Sequence, residues 1–293
     1  MNDNLTPDSE PWSPGGREVL QLFPPPTRAR RLEGLYLNER MPPPARGAPA
    51  LVYANFVSSL DGRIAVTDDD GLSRLPEGLT NPRDWRLFRE LQAHADCLVT
   101  HGGYLRALAT GRLGNVLQVG LGADGGDIAR WRAAREMTAQ PAVAIVSASL
   151  ELPMPTSLAA HGQRVHVLTT EASRRDRRAA MRQAGFDVVV TGPGPWVRSR
   201  EAIDALAERG YRRLYLQTGP KMLEVALREG TLARLYLTIR HRIAGGERFD
   251  TMVGGGVLGE SGKVRLGALY LDEACGQFFA CFDATGGSGT EGW

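Results

Sequence analysis

The chain is almost without lysine. Lys221 and Lys263 are the only two, so arginine carries nearly all of the 35 basic residues. Those arginines are spread along the whole length, which reads as a composition bias of the genome and not as a binding patch. Acidic residues number 33 and the net charge is +2, which argues against a nucleic-acid or membrane-surface binder. Cysteine is scarce as well. Cys97, Cys275 and Cys281 cannot all pair with one another, and no CxxC unit occurs, so neither a disulfide framework nor a cysteine zinc site is indicated. All three lie in apolar surroundings, as buried thiols do. No apolar run reaches the ~18 residues of a membrane helix. The opening Met1-Asn2-Asp3-Asn4 lacks the basic and apolar regions of a signal peptide. The expectation is a cytoplasmic protein. Several chemical signatures are missing too. There is no Gly-x-Ser-x-Gly elbow, no HExxH and no His-x-Glu with Pro-Cys-x-x-Cys, and the five histidines show no metal spacing. No metal site is expected.

What is present is ordinary globular composition, 42% apolar over 293 residues, enough to bury a sizeable core. At least half of the 18 prolines fall in the first 50 residues, from Pro11 and Pro14 through Pro24-Pro25-Pro26 and Pro42-Pro43-Pro44 to Pro49. Proline removes a donor and blocks helix interiors, so this stretch is expected to be extended or irregular, with a short helix over Arg31 to Asn38. It reads as a surface arm, or more sharply as a segment that docks on a partner subunit. After it, apolar runs alternate with helical patterns. Strands are expected at Leu51–Val57, Cys97–Thr100, Ala142–Ser147, Val165–Thr169, Asp187–Thr191, Leu214–Gln217, Leu235–Ile239 and Phe278–Phe282. Helices are expected from Asn81-Pro82 onward, at Arg174–Ala184, at Arg200–Arg209 and at Lys221–Arg228. The alternation predicts an α/β fold with a mainly parallel central sheet flanked by helices. Three segments result: a proline-rich arm over 1–50, one domain over 51–284 and a flexible Gly/Ser-rich tail over 285–293.

Four constellations carry candidate chemistry. Ser58-Ser59-Leu60-Asp61-Gly62-Arg63-Ile64 puts a hydroxyl and a carboxylate at the carboxyl end of the first of these strands, where ligands bind in open α/β sheets; the plainer reading is an Asp-Gly turn. Thr100-His101-Gly102-Gly103-Tyr104 follows a buried strand, and two adjacent glycines let backbone N–H groups line a phosphate. Gln217-Thr218-Gly219-Pro220-Lys221 joins a strand to a helix, whose start attracts phosphate. Ile243-Ala244-Gly245-Gly246-Glu247 is a backbone wall or merely a loop. Arg174-Arg175 with Arg177-Arg178 is the one basic cluster, diluted by Glu171 and Asp176, and reads as a solvated face.

In this order the constellations resemble the reductase domain of riboflavin biosynthesis, the C-terminal half of the bifunctional deaminase-reductase. The similarity runs from about Leu51 to Ala284 and is strongest in Asn55-Phe56-Val57-Ser58-Ser59-Leu60-Asp61-Gly62-Arg63-Ile64. It continues in Leu91-Gln92-Ala93-His94-Ala95-Asp96-Cys97-Leu98-Val99 and in Leu214 to Ala226. The deaminase half has no counterpart here. The resemblance implies a dihydrofolate-reductase-like fold, a homodimer, and NADPH-dependent reduction of a pyrimidine-type small molecule, with hydride reaching C1 of a ring-opened ribosylamine imine. It implies that Asn55, Ser59 and Asp61 line the nicotinamide and substrate pocket. Thr100, His101, Gly102, Gly103 and Tyr104, with Gln217, Thr218, Gly219 and Pro220, would hold the cofactor's phosphates and ribose. Thr169 and Thr170 would touch its adenosine half. Two turns depart from the family pattern: His101-Gly102-Gly103-Tyr104 stands for Gly-x-Gly-Thr, and Gln217-Thr218-Gly219-Pro220 stands for Glu-Gly-Gly-Pro. Two alternatives stay open. One is a catalytically silent nucleotide-binding protein that keeps the fold, favoured by Tyr104 and Thr218. The other is a dihydrofolate reductase-type enzyme, whose acid on an early helix would have to be Asp84 or Glu90.

Overall fold

A computed structural model of the chain describes residues 17–69, 71–122, 125–153, 156–159 and 161–285. The polar start, Pro11, Pro14 and the tail beyond Thr285 lie outside the described residues. Along the chain come β1 (Glu18–Phe23), β2 (Arg28–Arg31), β3 (Leu51–Ser59), β4 (Ala65–Thr67), β5 (Ser73–Arg74), α1 (Pro82–His94), β6 (Cys97–His101), α2 (Gly102–Ala109) and α3 (Gly126–Ala133). Then follow β7 (Ala142–Val146), β8 (Val165–Thr169), α4 (Arg175–Gln183), β9 (Asp187–Val190), α5 (Ser199–Glu208), β10 (Arg213–Leu216), α6 (Pro220–Arg228), β11 (Arg234–Arg240), β12 (Phe249–Asp250), β13 (Val264–Asp272) and β14 (Gln277–Ala284). The chain divides into two compact units. Of the described residues, one takes Ala48–Leu51 and Leu91–Thr218; the other takes 17–47, Val52–Glu90 and 219–285.

The first unit is the expected alternation. β10, β6, β7, β8 and β9 lie side by side, every pair parallel. Strands buried on both faces read as continuous apolar runs, and β6 and β7 do: Cys97, Leu98, Val143, Ala144 and Ile145 are fully enclosed. Burying a large aliphatic side chain of this kind contributes about 1.5–3 kcal/mol. Helices close where glycine supplies a left-handed residue, as at Gly185 and Gly210 after α4 and α5. Because the strands are parallel, their carboxyl ends share one edge.

The second unit is mixed. β3 and β11 pair in parallel, while β11–β14, β14–β13, β13–β1 and β1–β2 are antiparallel. A separate small sheet orders β12, β4 and β5. Tyr53 on β3, Tyr236 on β11 and Phe279 on β14 are the largest fully enclosed rings of this unit's described residues.

Three expectations need correction. The proline-rich stretch is extended at Glu18–Phe23 and Arg28–Arg31 and irregular over 32–50, as expected, but it is no free surface arm: β1 and β2 form a hairpin, and β1 extends the sheet by pairing with β13. Arg31 to Asn38 forms turns and not a helix, because Glu90 accepts the N–H groups of Gly34 (2.6 Å), Tyr36 (2.9 Å) and Leu37 (3.2 Å) that a helix would spend within itself. Cys275 is half-buried, unlike Cys97 and Cys281, since it sits in the turn between β13 and β14.

Candidate active site

In the second unit the candidate chemistry gathers on one face of β3. Side chains alternate along a strand, so Asn55, Val57 and Ser59 point the same way. Register pairs Tyr236 with Asn55 and Thr238 with Val57, which puts Thr238 on that face too. Asp84, in the first turn of α1, reaches it: the Thr238 hydroxyl donates to Asp84 Oδ1 at 2.6 Å. Asn81 sets this turn by accepting from the N–H groups of Arg83 (3.0 Å) and Asp84 (3.2 Å), an N-cap followed by proline at the first helical position. Asp84 is 7% exposed. Burial pushes its carboxyl up to about 6, against the lowering effects of the Thr238 hydrogen bond and the Arg240 charge. A buried carboxyl tuned toward neutrality is what a general acid requires. Sequence reading reached Asp84 only as the acid of a rival enzyme, because its partner lies far along the chain.

Asp61 is spent differently. Its carboxylate accepts from Ser59 Oγ, from Arg63 Nη1 (2.6 Å) and from the N–H groups of Ala244 (3.1 Å) and Gly245 (2.9 Å). The Ser59 hydroxyl and then those two N–H groups hold its pKa well below the usual carboxylate range. The expected Asp-Gly turn is present, with Gly62 at φ 79°. Asp61 therefore ties the end of β3 to the loop at Ala244-Gly245, joining two constellations that lie far apart in sequence. Arg63 completes the knot with its guanidinium 4.2 Å from the centre of the Phe249 ring.

In the first unit the remaining candidates line the shared carboxyl edge. Thr100 and His101 end β6, Thr169 ends β8 with Thr170 next, and Gln217 and Thr218 follow β10. The Oγ1 atoms of Thr100, Thr169 and Thr170 and both amide atoms of Gln217 are buried with no hydrogen-bond partner among the described residues. Each such group costs about 1–3 kcal/mol while it stays unsatisfied. At the start of α2 the geometry is self-contained. His101 Nδ1 accepts from the Gly103 N–H at 3.1 Å, so the ring is a neutral cap, and burial followed by the nearby Arg106 charge lowers its pKa. Tyr104 donates to Gly114 O (3.0 Å) and accepts from the Val116 N–H (3.0 Å); burial pushes its hydroxyl up to about 12. Gly219 caps α6 and Pro220 opens it, in the second unit. The arginines beside Thr170 are partly structural: Arg178 Nη1 donates to the carbonyls of Thr170, Glu171 and Ser173.

The model of the RibD C-terminal domain family matches residues 50–268. The chain belongs to that family. That is the family which the Ser59–Ile64 motif resembles. Among solved structures it is similar to a pyrimidine reductase-like protein from Corynebacterium diphtheriae, at 20% identity and TM-score 0.62, over 80% of this chain and 92% of that one. RibD from Acinetobacter baumannii matches at 16% identity and TM-score 0.56, over 82% of this chain. This chain spans 59% of that RibD. The riboflavin biosynthesis reductase Rib7 of Saccharomyces cerevisiae matches at 14% identity and TM-score 0.52, over 80% and 90% of the two chains. At these identities the likenesses establish the fold. No curated protein sequence matches the chain. Among the described residues no helix is long and apolar enough to cross a membrane.

Proposed function

We propose that this chain uses NADPH to reduce a small pyrimidine-type imine, hydride going to carbon and a proton to nitrogen. The observation that carries this is the row of partnerless buried polar atoms along the carboxyl edge of the first unit. Hydroxyls of Thr100, Thr169 and Thr170 and the amide of Gln217 suit the ribose hydroxyls and polar ring substituents of a dinucleotide, so the residues fit the cofactor. They would hold it there, and a bound reduced nicotinamide would supply the hydride. His101 already takes the Gly103 N–H, so that group is not the phosphate ligand.

In the second unit burial raises the Asp84 carboxyl to about 6, so part of it is still protonated as pH approaches neutrality and offers a proton to the imine nitrogen. Asn55 and Ser59 share its face and orient the substrate. Asp61 is a positioning residue that fixes the loop at Ala244-Gly245. The proposal includes a homodimer in the cytoplasm, as the resemblance implies. Sedimentation of the purified protein reads the first and cell fractionation the second.

The test follows consumption of NADPH, and of NADH in parallel, with ring-opened ribosylamino pyrimidines and with dihydrofolate. Turnover with the pyrimidine imines and NADPH supports the proposal. Turnover with dihydrofolate alone turns it into the rival reductase, for which Asp84 on its early helix is also suitably placed. Saturable NADPH binding without turnover of any substrate makes the chain a silent nucleotide binder. That reading is favoured by how fully Asp61 and His101 are spent on internal contacts.

A further inference from the structure

Gln217 and Thr100 end two neighbouring parallel strands. Leu216 pairs with Val99, and the Gln217 N–H continues the ladder by donating to Val99 O at 2.9 Å. The next pair in register is therefore Gln217 beside Thr100. Thr100 is 1% exposed, and its hydroxyl is buried with no partner among the described residues. Both amide atoms of Gln217 are in the same state. Adjacent residues thus present an N–H₂ donor, a carbonyl acceptor and a hydroxyl that either gives or takes, all unsatisfied. Native proteins leave few buried polar groups in that condition, and a cluster of them is a place where something binds.

The atom set restricts what that is. A phosphate or carboxylate satisfies Gln217 Nε2 but faces Oε1 with a second acceptor. A cation satisfies Oε1 but faces Nε2 with a second donor. A planar group carrying C=O and N–H side by side satisfies both, leaving the Thr100 hydroxyl to take up a remaining lone pair or proton.

We propose that Gln217 and Thr100 form a reading site for a neutral amide edge. This rests on the reductase reading above and deepens it. Two sources present that edge: the carboxamide of a nicotinamide cofactor and the lactam of a pyrimidine substrate.

Equilibrium binding separates them without needing turnover. The first pair of probes is NADPH and its 3-acetylpyridine analogue, which keeps the carbonyl and lacks the N–H. The second pair is 6-aminouracil and 6-amino-1,3-dimethyluracil, which lacks both lactam protons. A site built on paired hydrogen bonds rejects the analogue by ~10-fold or more. If the carboxamide is read, the wild-type protein prefers NADPH to the acetylpyridine analogue, and Gln217→Leu erases that preference. If the lactam is read, the uracil pair shows the preference and its loss instead. Gln217→Met, similar in volume and without either polar atom, guards against misfolding of the leucine variant. It too must lose the preference while melting like the wild type. Binding of NADPH by the wild-type protein, with both preferences unmoved by Gln217→Leu and Gln217→Met, overturns the inference and leaves the reductase reading standing. No binding of any probe by the wild-type protein overturns both.

Discussion

At the scale of single residues, two carboxylates in one unit have opposite characters. Asp61 accepts hydrogen bonds from a hydroxyl, an arginine and two backbone groups, and it stays ionised. Asp84 has one hydroxyl donor and deep burial, so its pKa rises. The sign of the stability effect follows from that rise. Between the ordinary aspartate value of 3.8 and about 6, the unfolded chain has ionised Asp84 while the folded chain holds it neutral. Stability contributed by the protonated group is full below that window and is lost as pH rises through it. The loss approaches ~3 kcal/mol, at 1.36 kcal/mol per unit. Asp84→Asn keeps the acceptor for Thr238 and removes the titration. Its advantage over the wild type in denaturant melts should therefore be small at pH ~4 and grow to ~1–3 kcal/mol by pH ~7. The same variant should lower kcat more than it weakens NADPH binding, and it should flatten the descending limb of kcat/KM above pH ~6. An unchanged pH–rate profile would show that Asp84 only packs.

At the scale of elements, polar anchors place what composition could not. Glu90 on α1 is fully buried, accepts three N–H groups of the Gly34–Leu37 turns, and pairs with Arg86 at 2.7 Å. Burial raises its pKa against those bonds. Glu39 takes Arg234 at 2.7 Å and the Tyr236 hydroxyl at 3.0 Å, and Arg83 donates to Glu18 O at 2.9 Å. Three anchoring side chains, Glu90, Glu39 and Arg83, hold the residues around the β1–β2 hairpin. Glu90→Ala should cost ~2–4 kcal/mol, because three donors, two of them buried, lose their acceptor at once. Hydrogen exchange at Tyr36 and Leu37 should accelerate beyond the global effect; uniform acceleration would contradict the anchoring role.

These anchors also mark the limit of what the sequence makes legible. The strands of the first unit are easy to read, because parallel strands buried on both faces give apolar runs such as Cys97–Thr100 and Ala142–Val146. β2 is Arg-Ala-Arg-Arg with every residue exposed, and β13 mixes glycine and arginine with its apolar residues, so neither announces a strand. The edge residues Thr100, Thr169 and Gln217 can be placed at strand ends from the sequence, because each closes an apolar run. Asp84 as an acid is not, since its environment is assembled from α1 and β11, 154 residues apart.

At the scale of the whole molecule, the hairpin is part of the sheet and not an appendage. Removing residues 1–47 uncovers β13 and takes away the acceptors and donors that answer Glu90, Arg234, Tyr236 and Arg83. Such a truncation should melt at least ~10 °C lower or fail to fold, by loss of several kcal/mol. A truncated chain as stable as the full one would refute that view.

The central claim is that the carboxyl edge of the first unit holds a dinucleotide. Fluorescence titration with NADPH tests it most directly, comparing the wild type with a Thr169→Val, Thr170→Val double variant. The account predicts saturation in the micromolar range for the wild type. It predicts binding weaker by ~10-fold or more for the variant, at an unchanged or higher melting temperature, because two unsatisfied hydroxyls are replaced by near-isosteric methyls. Equal affinity for the two proteins, or no saturation by the wild type, would contradict it.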